Sequence, residues 1–227
     1  MPSTAEILQQ LKLKAASPAN LDGMARYGIT VEKRFGISVT DLRRIAKEIG
    51  KDHKLAVDLW KSGIADARIL ASMIAVPEKI TSEEMETWVS GFDSWDVCDQ
   101  VCMNLFDKTA FARKKIAEWS IREEEYVKRA AFALIACLVS NDRHAPDKDF
   151  IGFLQIIKHA ATDERNYVKK AVNWALRNIG KRNATLNKAA IKTAKEIQRI
   201  DSKAARWIAA DAIRELESSA VQKRLQK

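Results

Sequence analysis

The sequence predicts an all-α protein of HEAT-like helical repeats, stacked in a curved α-solenoid with a concave basic groove. Helix-forming residues dominate, while the 227 residues include only 8 Gly and 4 Pro. Apolar residues recur at helical spacing along almost the whole chain, and one segment returns after about 40 residues. Because neither a linker nor a low-complexity tract interrupts the pattern, we expect a single domain over residues 1–227.

The hydrophobic spacing predicts thirteen helices. They cover about 3–16, 20–27, 38–49, 52–61, 65–76, 81–90, 93–106, 109–119, 123–139, 147–160, 163–179, 183–198 and 201–216. Three of them begin with a hydroxyl side chain and an acid three residues later, which is the pattern of an N-terminal cap. These pairs are Ser3 with Glu6, Ser38 with Asp41, and Thr81 with Glu84. Gly50 and Gly180 lie where helix C-terminal glycines are expected.

An internal repeat carries the solenoid prediction. "YVKRAAFALIAC" begins at Tyr126, "YVKKAVNWALRN" begins 41 residues later at Tyr167, and the looser "KAARWIAADAIREL" begins at Lys203. A period near 40 with two helices per unit is typical of HEAT-like repeats, which stack into solenoids. An irregular helical bundle is the alternative.

Charge and cysteine content narrow the possible partners and compartment. The 39 Lys and Arg exceed the 30 Asp and Glu, for a net charge of +9. Such an excess favours a polyanionic partner, nucleic acid before a membrane surface. No apolar run reaches the roughly 20 residues of a transmembrane helix, and the N-terminus lacks the order of a signal peptide. Three cysteines, an odd number, favour reduced thiols and a cytoplasmic protein.

The helix that begins near Tyr167 has two distinct faces. Six apolar residues fall on one side, predicted to be buried: Val168, Ala171, Val172, Ala175, Leu176 and Ile179. The opposite side carries Lys170, Trp174, Arg177 and Lys181. A tryptophan at helical spacing usually belongs to the core, but this one lies among cations. That combination fits nucleic-acid binding, in which cations hold phosphates and an aromatic ring contacts a base or sugar.

The preceding repeat places one cation on the equivalent face. Arg129 is followed there only by small residues, namely Ala133, Ala136 and Ser140. Two interpretations stay open, an ordinary exposed arginine or an open groove floor with one cation to hold a ligand. The basic segment "FARKKIAEW" at 111–119, by contrast, is predicted to be a solvated face, with contact to a DNA backbone as the alternative.

"DSWDVCDQ", from Asp93 to Gln100, sets acids around a tryptophan in a basic chain. Trp95 and Asp99 are four residues apart and share one helical face. We predict that Cys102 and Phe106 continue this face. Asp93 is expected at the helix start, with Asp96 a solvated acid.

No metal or nucleophile motif competes with these residues. Cys98 and Cys102 are spaced to ligate a metal, but no Cys or His partner follows at a suitable distance. We therefore predict buried, reduced thiols for both and for Cys137. The histidines His53, His144 and His159 are scattered, and no Gly-rich phosphate loop is present.

At these residues the sequence resembles the AlkD-type DNA alkylation repair family of HEAT-like DNA glycosylases. Four segments carry the resemblance, in order: "MARYGI" at 24–29, "SWDVCD" at 94–99, "YVKRAA" at 126–131 and "VKKAVNWALRNIGK" at 168–181. It covers roughly residues 20–216. The resemblance implies excision of cationic N3- and N7-alkylated purines from DNA, with no metal or organic cofactor. It also implies a partner of double-stranded DNA with alkylated bases, no membrane, and a monomer.

The resemblance also implies roles for individual residues. The catalytic acid of the family falls on Asp99, its active-site tryptophans on Trp95 and Trp174, and its active-site arginine on Arg129. Tyr27 matches a tyrosine that contacts DNA. The remaining matches are basic residues around the second tryptophan that hold phosphates, Lys170, Arg177 and Lys181.

Three functions are therefore open. The first is a DNA glycosylase for 3-methyladenine and 7-methylguanine. The second is a HEAT-repeat binder of damaged or branched DNA without glycosylase activity. The third is a protein-interaction scaffold whose basic groove takes an acidic partner.

Overall fold

A computed structural model describes residues 2–226, which form fourteen α-helices and two single 3-10 turns, Pro77–Lys79 and Phe106–Lys108. The helices are α1 Thr4–Leu13, α2 Pro18–Arg26, α3 Val39–Ile49, α4 His53–Lys61, α5 Ala65–Ile74, α6 Ser82–Ser90, α7 Trp95–Asn104, α8 Ala112–Ser120, α9 Glu125–Asn141, α10 Asp147–Ala160, α11 Asn166–Gly180, α12 Ala184–Ile197, α13 Lys203–Leu216 and α14 Ser219–Leu225. The all-α prediction and all thirteen predicted helices are confirmed. The sequence pattern misses α14, a seven-residue helix with only Val221 buried.

The N-terminal caps match the prediction, with one difference. Capping boxes form at Ser3 with Glu6 and at Thr81 with Glu84. Ser38 accepts a hydrogen bond from the Asp41 amide, which caps α3. The Asp41 carboxylate, however, accepts from the Ser38 hydroxyl at 2.7 Å. That hydrogen bond lowers the pKa of Asp41, so the carboxylate stays ionised beside the helix N-terminus.

Gly180 ends α11 for a different reason from the predicted one. A Cβ there would lie 2.5 Å from Leu216 Cδ1 and 3.0 Å from Ala190 Cβ, and the residue has no positive φ. Gly180 therefore permits close packing of α11 against the two helices that follow it. Gly50 is the C-cap of α3, as predicted.

The described residues divide into two compact units between Phe111 and Ala112. In the second unit, three helix pairs follow one another: α8 with α9, α10 with α11, and α12 with α13. The second helices of the pairs, α9, α11 and α13, pack side by side in chain order, and so do the first helices, α8, α10 and α12. This two-layer stacking confirms the predicted helical repeats. The single domain over residues 1–227 and the concave basic groove stay predictions.

Polar contacts between neighbouring repeats recur at one sequence separation. Several of them join residues 38 positions apart, for example Arg129 Nη1 to the Tyr167 carbonyl at 2.7 Å, Lys158 Nζ to Glu196 Oε2 at 2.7 Å, and Asn173 Nδ2 to Asp211 Oδ2 at 2.7 Å. The Tyr126 and Tyr167 rings, equivalent in the two clear repeats, stack at 5.7 Å. The repeat period therefore sets the register between helices.

The first unit is built around aromatic side chains. Trp60 of α4 and Trp88 of α6 stack with ring centroids 4.3 Å apart and planes 2° from parallel. Phe92 and Phe106 pack around them. These two tryptophans are buried and belong to the core. Nowhere in the part of the chain from 2 to 226 is a helix both long and apolar enough to span a bilayer.

Candidate functional site

The start of α7 presents an indole and a carboxylate on one face. Trp95 is the first residue of α7, Asp99 lies one turn later, and both side chains are half-buried. Val97 and Cys98, between them, are fully buried. The shared face of Trp95 and Asp99 is therefore confirmed.

The predicted continuation of this face is wrong. Cys102 and Phe106 are fully buried, so the face turns into the core after Asp99. Cys102 still belongs to α7, whose later part packs on α5, and Phe106 follows the helix in the 3-10 turn Phe106–Lys108. Cys98, Cys102 and Cys137 are buried thiols, as predicted.

A hydrogen bond ties Trp95 to Tyr27. The indole Nε1 donates to the Tyr27 carbonyl at 3.1 Å. Tyr27 is the C-cap of α2, and its residue surface is 79% exposed. An exposed phenol therefore lies on the segment that fixes the indole. These two residues, which only the resemblance connects in sequence, are brought together in the first unit.

Asp96 is not the solvated acid that the sequence suggested. Its two carboxylate oxygens pair with the guanidinium of Arg34, Nη1 to Oδ2 at 2.8 Å and Nη2 to Oδ1 at 2.9 Å. Arg34 is only 8% exposed, so the pair is bidentate and largely withdrawn from water. This contact fastens the segment after Tyr27 onto the start of α7.

The helix start is also displaced from the expected residue. Ser94, not Asp93, is the N-cap of α7, and its hydroxyl donates to Asp96 Oδ1 at 2.6 Å. The Ser94 Oγ also accepts from the Thr30 amide at 3.2 Å, and the Thr30 hydroxyl donates to the Asp93 carbonyl at 2.7 Å. These bonds hold Thr30, in the segment that follows Tyr27, against the start of α7.

A buried carboxylate holds the far end of the same segment. Asp66, at the start of α5, is fully buried. It accepts hydrogen bonds from the amides of Phe35 at 2.6 Å, Gly36 at 3.3 Å and Ile37 at 2.7 Å. Gly36 has a φ of +77°, and a Cβ there would lie 2.7 Å from Leu21 Cδ2. The turn therefore requires glycine, and Asp66 satisfies its amides.

In the second unit, α11 has the two faces that the sequence predicts. The six apolar residues of the predicted buried face are all fully buried. Trp174 is half-buried and Lys170 is exposed. Within residues 2–226, no carboxylate lies within 4.0 Å of the Lys170 ammonium. This end of the stripe therefore offers an indole and an unpaired cation to solvent.

The other two cations of the stripe are already paired. Glu215 of α13 forms a short ion pair with Arg177, and its Oε1 lies 2.7 Å from Lys181 Nζ. Burial would raise the pKa of Glu215, but hydrogen bonds from Lys181 and Arg177 outweigh it and hold the pKa below its usual value. Glu215 is therefore ionised at neutral pH. It lies 38 residues after Arg177, one repeat on, and that spacing is the signal that sequence inspection missed.

Arg129 is buried on α9. It is 6% exposed, and its Nη1 donates to the Tyr167 carbonyl at 2.7 Å. Ala133 and Ala136, on the same stripe, are fully buried. Both interpretations from the sequence, an exposed arginine and an open floor of small residues, are wrong. The guanidinium is instead held at the junction of α9 and α11, with its orientation fixed by a backbone carbonyl.

The segment at 111–119 is not fully solvated either. Lys115 is 3% exposed, pairs with Glu118 Oε2 at 2.9 Å and lies 5.9 Å from the Trp119 ring centroid. Its ammonium lies over the face of the indole and is neutralised by Glu118. Among residues 2–226, no group of three or more His, Cys, Asp or Glu side chains is arranged to hold a metal ion.

Comparison with known proteins identifies relatives over most of the chain. One solved structure is described as "a new family of proteins related to the HEAT-like repeat DNA glycosylases with affinity for branched DNA structures". It superposes with a TM-score of 0.77 at 20% identity, covering 94% of this chain and 95% of that one. At this identity the likeness shows the fold, which confirms the HEAT-like solenoid class.

Two sequence relatives are proteins of Listeria. "Uncharacterized protein Lin0241" of Listeria innocua is 24% identical over 169 residues, 73% of each chain. "Uncharacterized protein Lmo0209" of Listeria monocytogenes is 23% identical over the same shares. The family model described as "DNA alkylation repair enzyme" matches residues 7–216. The chain therefore belongs to the DNA alkylation repair enzyme family.

Proposed function

We propose that the protein is a DNA glycosylase that excises cationic N3- and N7-alkylated purines, such as 3-methyladenine and 7-methylguanine, from duplex DNA. The observation that carries the proposal is the half-exposed pair of Trp95 and Asp99 at the start of α7. Family membership supports the substrate class. The pair joins a negative charge and an aromatic face, the two groups that a cationic nucleoside attracts.

The chemistry requires little more than this pair. Alkylation at N3 or N7 makes the purine cationic and weakens its bond to the sugar. As the bond breaks, positive charge moves to the sugar ring. Asp99 lowers the energy of that transition state electrostatically and orients the water that attacks C1′. Water adds to C1′, the neutral alkylpurine departs with the electron pair of the glycosidic bond, and the proton passes to Asp99 or to solvent.

Basic residues of the second unit hold the DNA in this proposal. Lys170 and Trp174 contact the backbone and a sugar or base, while the buried Arg129 holds α9 against α11 through the Tyr167 carbonyl and so positions the helix that carries them. Arg177 and Lys181 contribute less, because Glu215 neutralises part of their charge.

The test is base release from methylated duplex DNA. The full-length protein is incubated with the duplex, and free 3-methyladenine and 7-methylguanine are separated by chromatography. We expect release of both bases, leaving abasic sites in the DNA. Binding of the duplex without release of either base would overturn the glycosylase proposal.

A second candidate is a non-catalytic binder of branched or damaged DNA. It is supported by the fold shared with the protein described as having affinity for branched DNA structures. The two functions separate in one experiment, because a branched-DNA binder prefers a four-way junction to a linear duplex and releases no base. The remaining alternative is a protein-interaction scaffold. Such a scaffold would show no strongly salt-dependent binding to the linear duplex or to the four-way junction.

Trp174→Ala is expected to weaken binding to methylated duplex DNA. Loss of an indole contact to a cationic nucleotide costs about 1–2 kcal/mol, roughly a 5- to 30-fold rise in Kd. Trp207→Ala is the matched control, since Trp207 is another solvent-facing tryptophan of the same unit, 42% exposed. Fluorescence anisotropy measures both affinities, and circular dichroism checks the helices. Equal losses in the two variants, or unfolding of Trp174→Ala, would assign Trp174 no specific contact.

A further inference from the structure

Helix α12 has one face made almost entirely of cations. Its solvent-exposed basic residues follow at helical spacing: Lys188, Lys192, Lys195 and, just after the helix, Arg199. The opposite face packs on the rest of the unit through residues that are fully buried: Leu186, Ala190, Ala194 and Ile197. The basic face of α12, meaning the four cations, therefore points to solvent.

Most of this charge is not neutralised. Lys188, Lys192 and Arg199 have no carboxylate within 4.0 Å anywhere in the described chain, residues 2–226. Lys195 pairs with Glu217 at 3.1 Å, where both side chains are about half exposed and the attraction is weak.

Several exposed lysines on other helices are paired with acids of their own helix. Lys54 and Lys61 of α4 both pair with Asp58, at 3.1 Å and 3.4 Å. Lys114 of α8 pairs with Glu118 at 3.5 Å. Even Arg177 and Lys181 of the candidate site share Glu215. The basic face of α12 differs from these positions, because three of its four cations have no acid within 4.0 Å among the described residues.

The acid that lines the same concavity as these cations already has a partner. Glu196 lines the same open concavity of about 490 Å³ as the four cations and Ile191. Lys158 of α10 donates to Glu196 Oε2 at 2.7 Å, and this bond, followed by smaller effects of Lys192 and Arg199, lowers the pKa of Glu196. Because Lys158 neutralises Glu196, the cations keep their net positive field.

We propose that the basic face of α12 is a second DNA-binding surface, which holds the phosphate backbone outside the residues assigned to base excision. From Lys188 to Arg199 the helix advances about 16 Å. Each DNA strand presents a phosphate about every 3.4 Å along the duplex axis, so several phosphates lie within reach of the four cations. The identity of the ligand as DNA rests on the proposed function; the existence of this second contact goes beyond it.

A nucleic-acid backbone fits this face better than a membrane does. Helices that bind membrane surfaces combine basic residues with Trp, Phe or Leu that enter the lipid. Among the described residues that line the concavity, Ile191 is the only apolar one, and it is half-buried. A row of cations without apolar anchors suits a polyanion that stays in water.

The experiment compares two full-length variants that each lose three positive charges. They are K188Q/K192Q/R199Q on α12 and K54Q/K61Q/K114Q on α4 and α8. All six side chains belong to exposed residues, so neither variant should unfold. Affinity for an undamaged duplex is measured over a series of salt concentrations, and base release from methylated DNA is measured separately.

We expect the α12 variant to bind the duplex less tightly and with a flatter salt dependence. The slope of log K against log salt is negative, and each lost phosphate contact reduces its magnitude by about 0.9. The loss of three contacts therefore reduces the magnitude by up to ~2.7. The α4 and α8 variant should keep the wild-type slope. If the two variants showed the same salt dependence of DNA binding, the proposed second surface would be overturned. It would also be overturned if the α12 variant lost binding to anionic vesicles while its salt dependence of DNA binding stayed at the wild-type value. Wild-type protein that binds DNA without base release would overturn excision alone.

Discussion

Asp99→Asn is expected to slow the release of 7-methylguanine from methylated duplex DNA by at least about 100-fold. The amide keeps the shape of the side chain but removes the negative charge that meets the developing sugar cation. Losing one preorganised electrostatic contact of this kind costs roughly 3 kcal/mol of transition-state stabilisation. Single-turnover kinetics with enzyme in excess measures the bond-breaking step without product release.

The control is Asp93→Asn, which removes a carboxylate from the loop just before α7. Asp93 has a side chain that is 51% exposed and lies 3.6 Å from Arg68 Nη1. Its loss should change the rate by less than about twofold, because exposed pairs are weak and screened. DNA affinity should stay at the wild-type value in both variants. Equal rates for Asp99→Asn and wild-type protein would refute a catalytic role for Asp99.

The helices were predictable because their signals are local. Apolar spacing located all thirteen predicted helices, and the caps at Ser3 and Thr81 formed as expected. The 41-residue echo predicted the stacking because equivalent residues, such as Tyr126 and Tyr167, meet in neighbouring repeats. The short α14 is not predicted, because a helix with a single buried residue shows no hydrophobic periodicity.

The candidate site was predictable only where a helix has two clearly different faces. On α11 the apolar phase is clean, so Trp174 was correctly placed on the half-exposed side. On α9 nearly every residue from Val127 to Val139 is buried, so the phase carries no information about Arg129. A helix packed on all sides has no polar face to find.

Ion pairs between distant segments were the main omission. Arg34 and Asp96 lie 62 residues apart, and nothing in the local pattern of either joins them. The pairing of Arg177 with Glu215 follows the repeat period, but the acid lies in the weakest of the three echoes. Tertiary packing decides which charged side chains meet. Asp96, which the local sequence predicts to be solvated, therefore forms an ion pair with the buried Arg34.

Asp66→Ala is expected to lower the free energy of unfolding by about 4 kcal/mol. The fully buried carboxylate accepts from three consecutive amides, those of Phe35, Gly36 and Ile37. Without it, the buried Ile37 amide and the half-buried amides of Phe35 and Gly36 lose their acceptor, and each unsatisfied buried donor costs about 1–3 kcal/mol. Equilibrium urea unfolding followed by circular dichroism measures the change.

Asp58→Ala provides the comparison, since Asp58 lies on the neighbouring α4 and pairs only with the exposed Lys54 and Lys61. Its stability should match that of the wild-type protein. The free energy of unfolding of Asp66→Asn should lie between those of Asp66→Ala and the wild-type protein. The oxygen of the asparagine side chain still accepts a hydrogen bond, but its NH₂ group faces backbone donors. A loss below about 1 kcal/mol in Asp66→Ala would contradict the account. The anchored segment continues from Tyr27, whose carbonyl holds the Trp95 indole, so loosening it should also slow base release more than Asp58→Ala does.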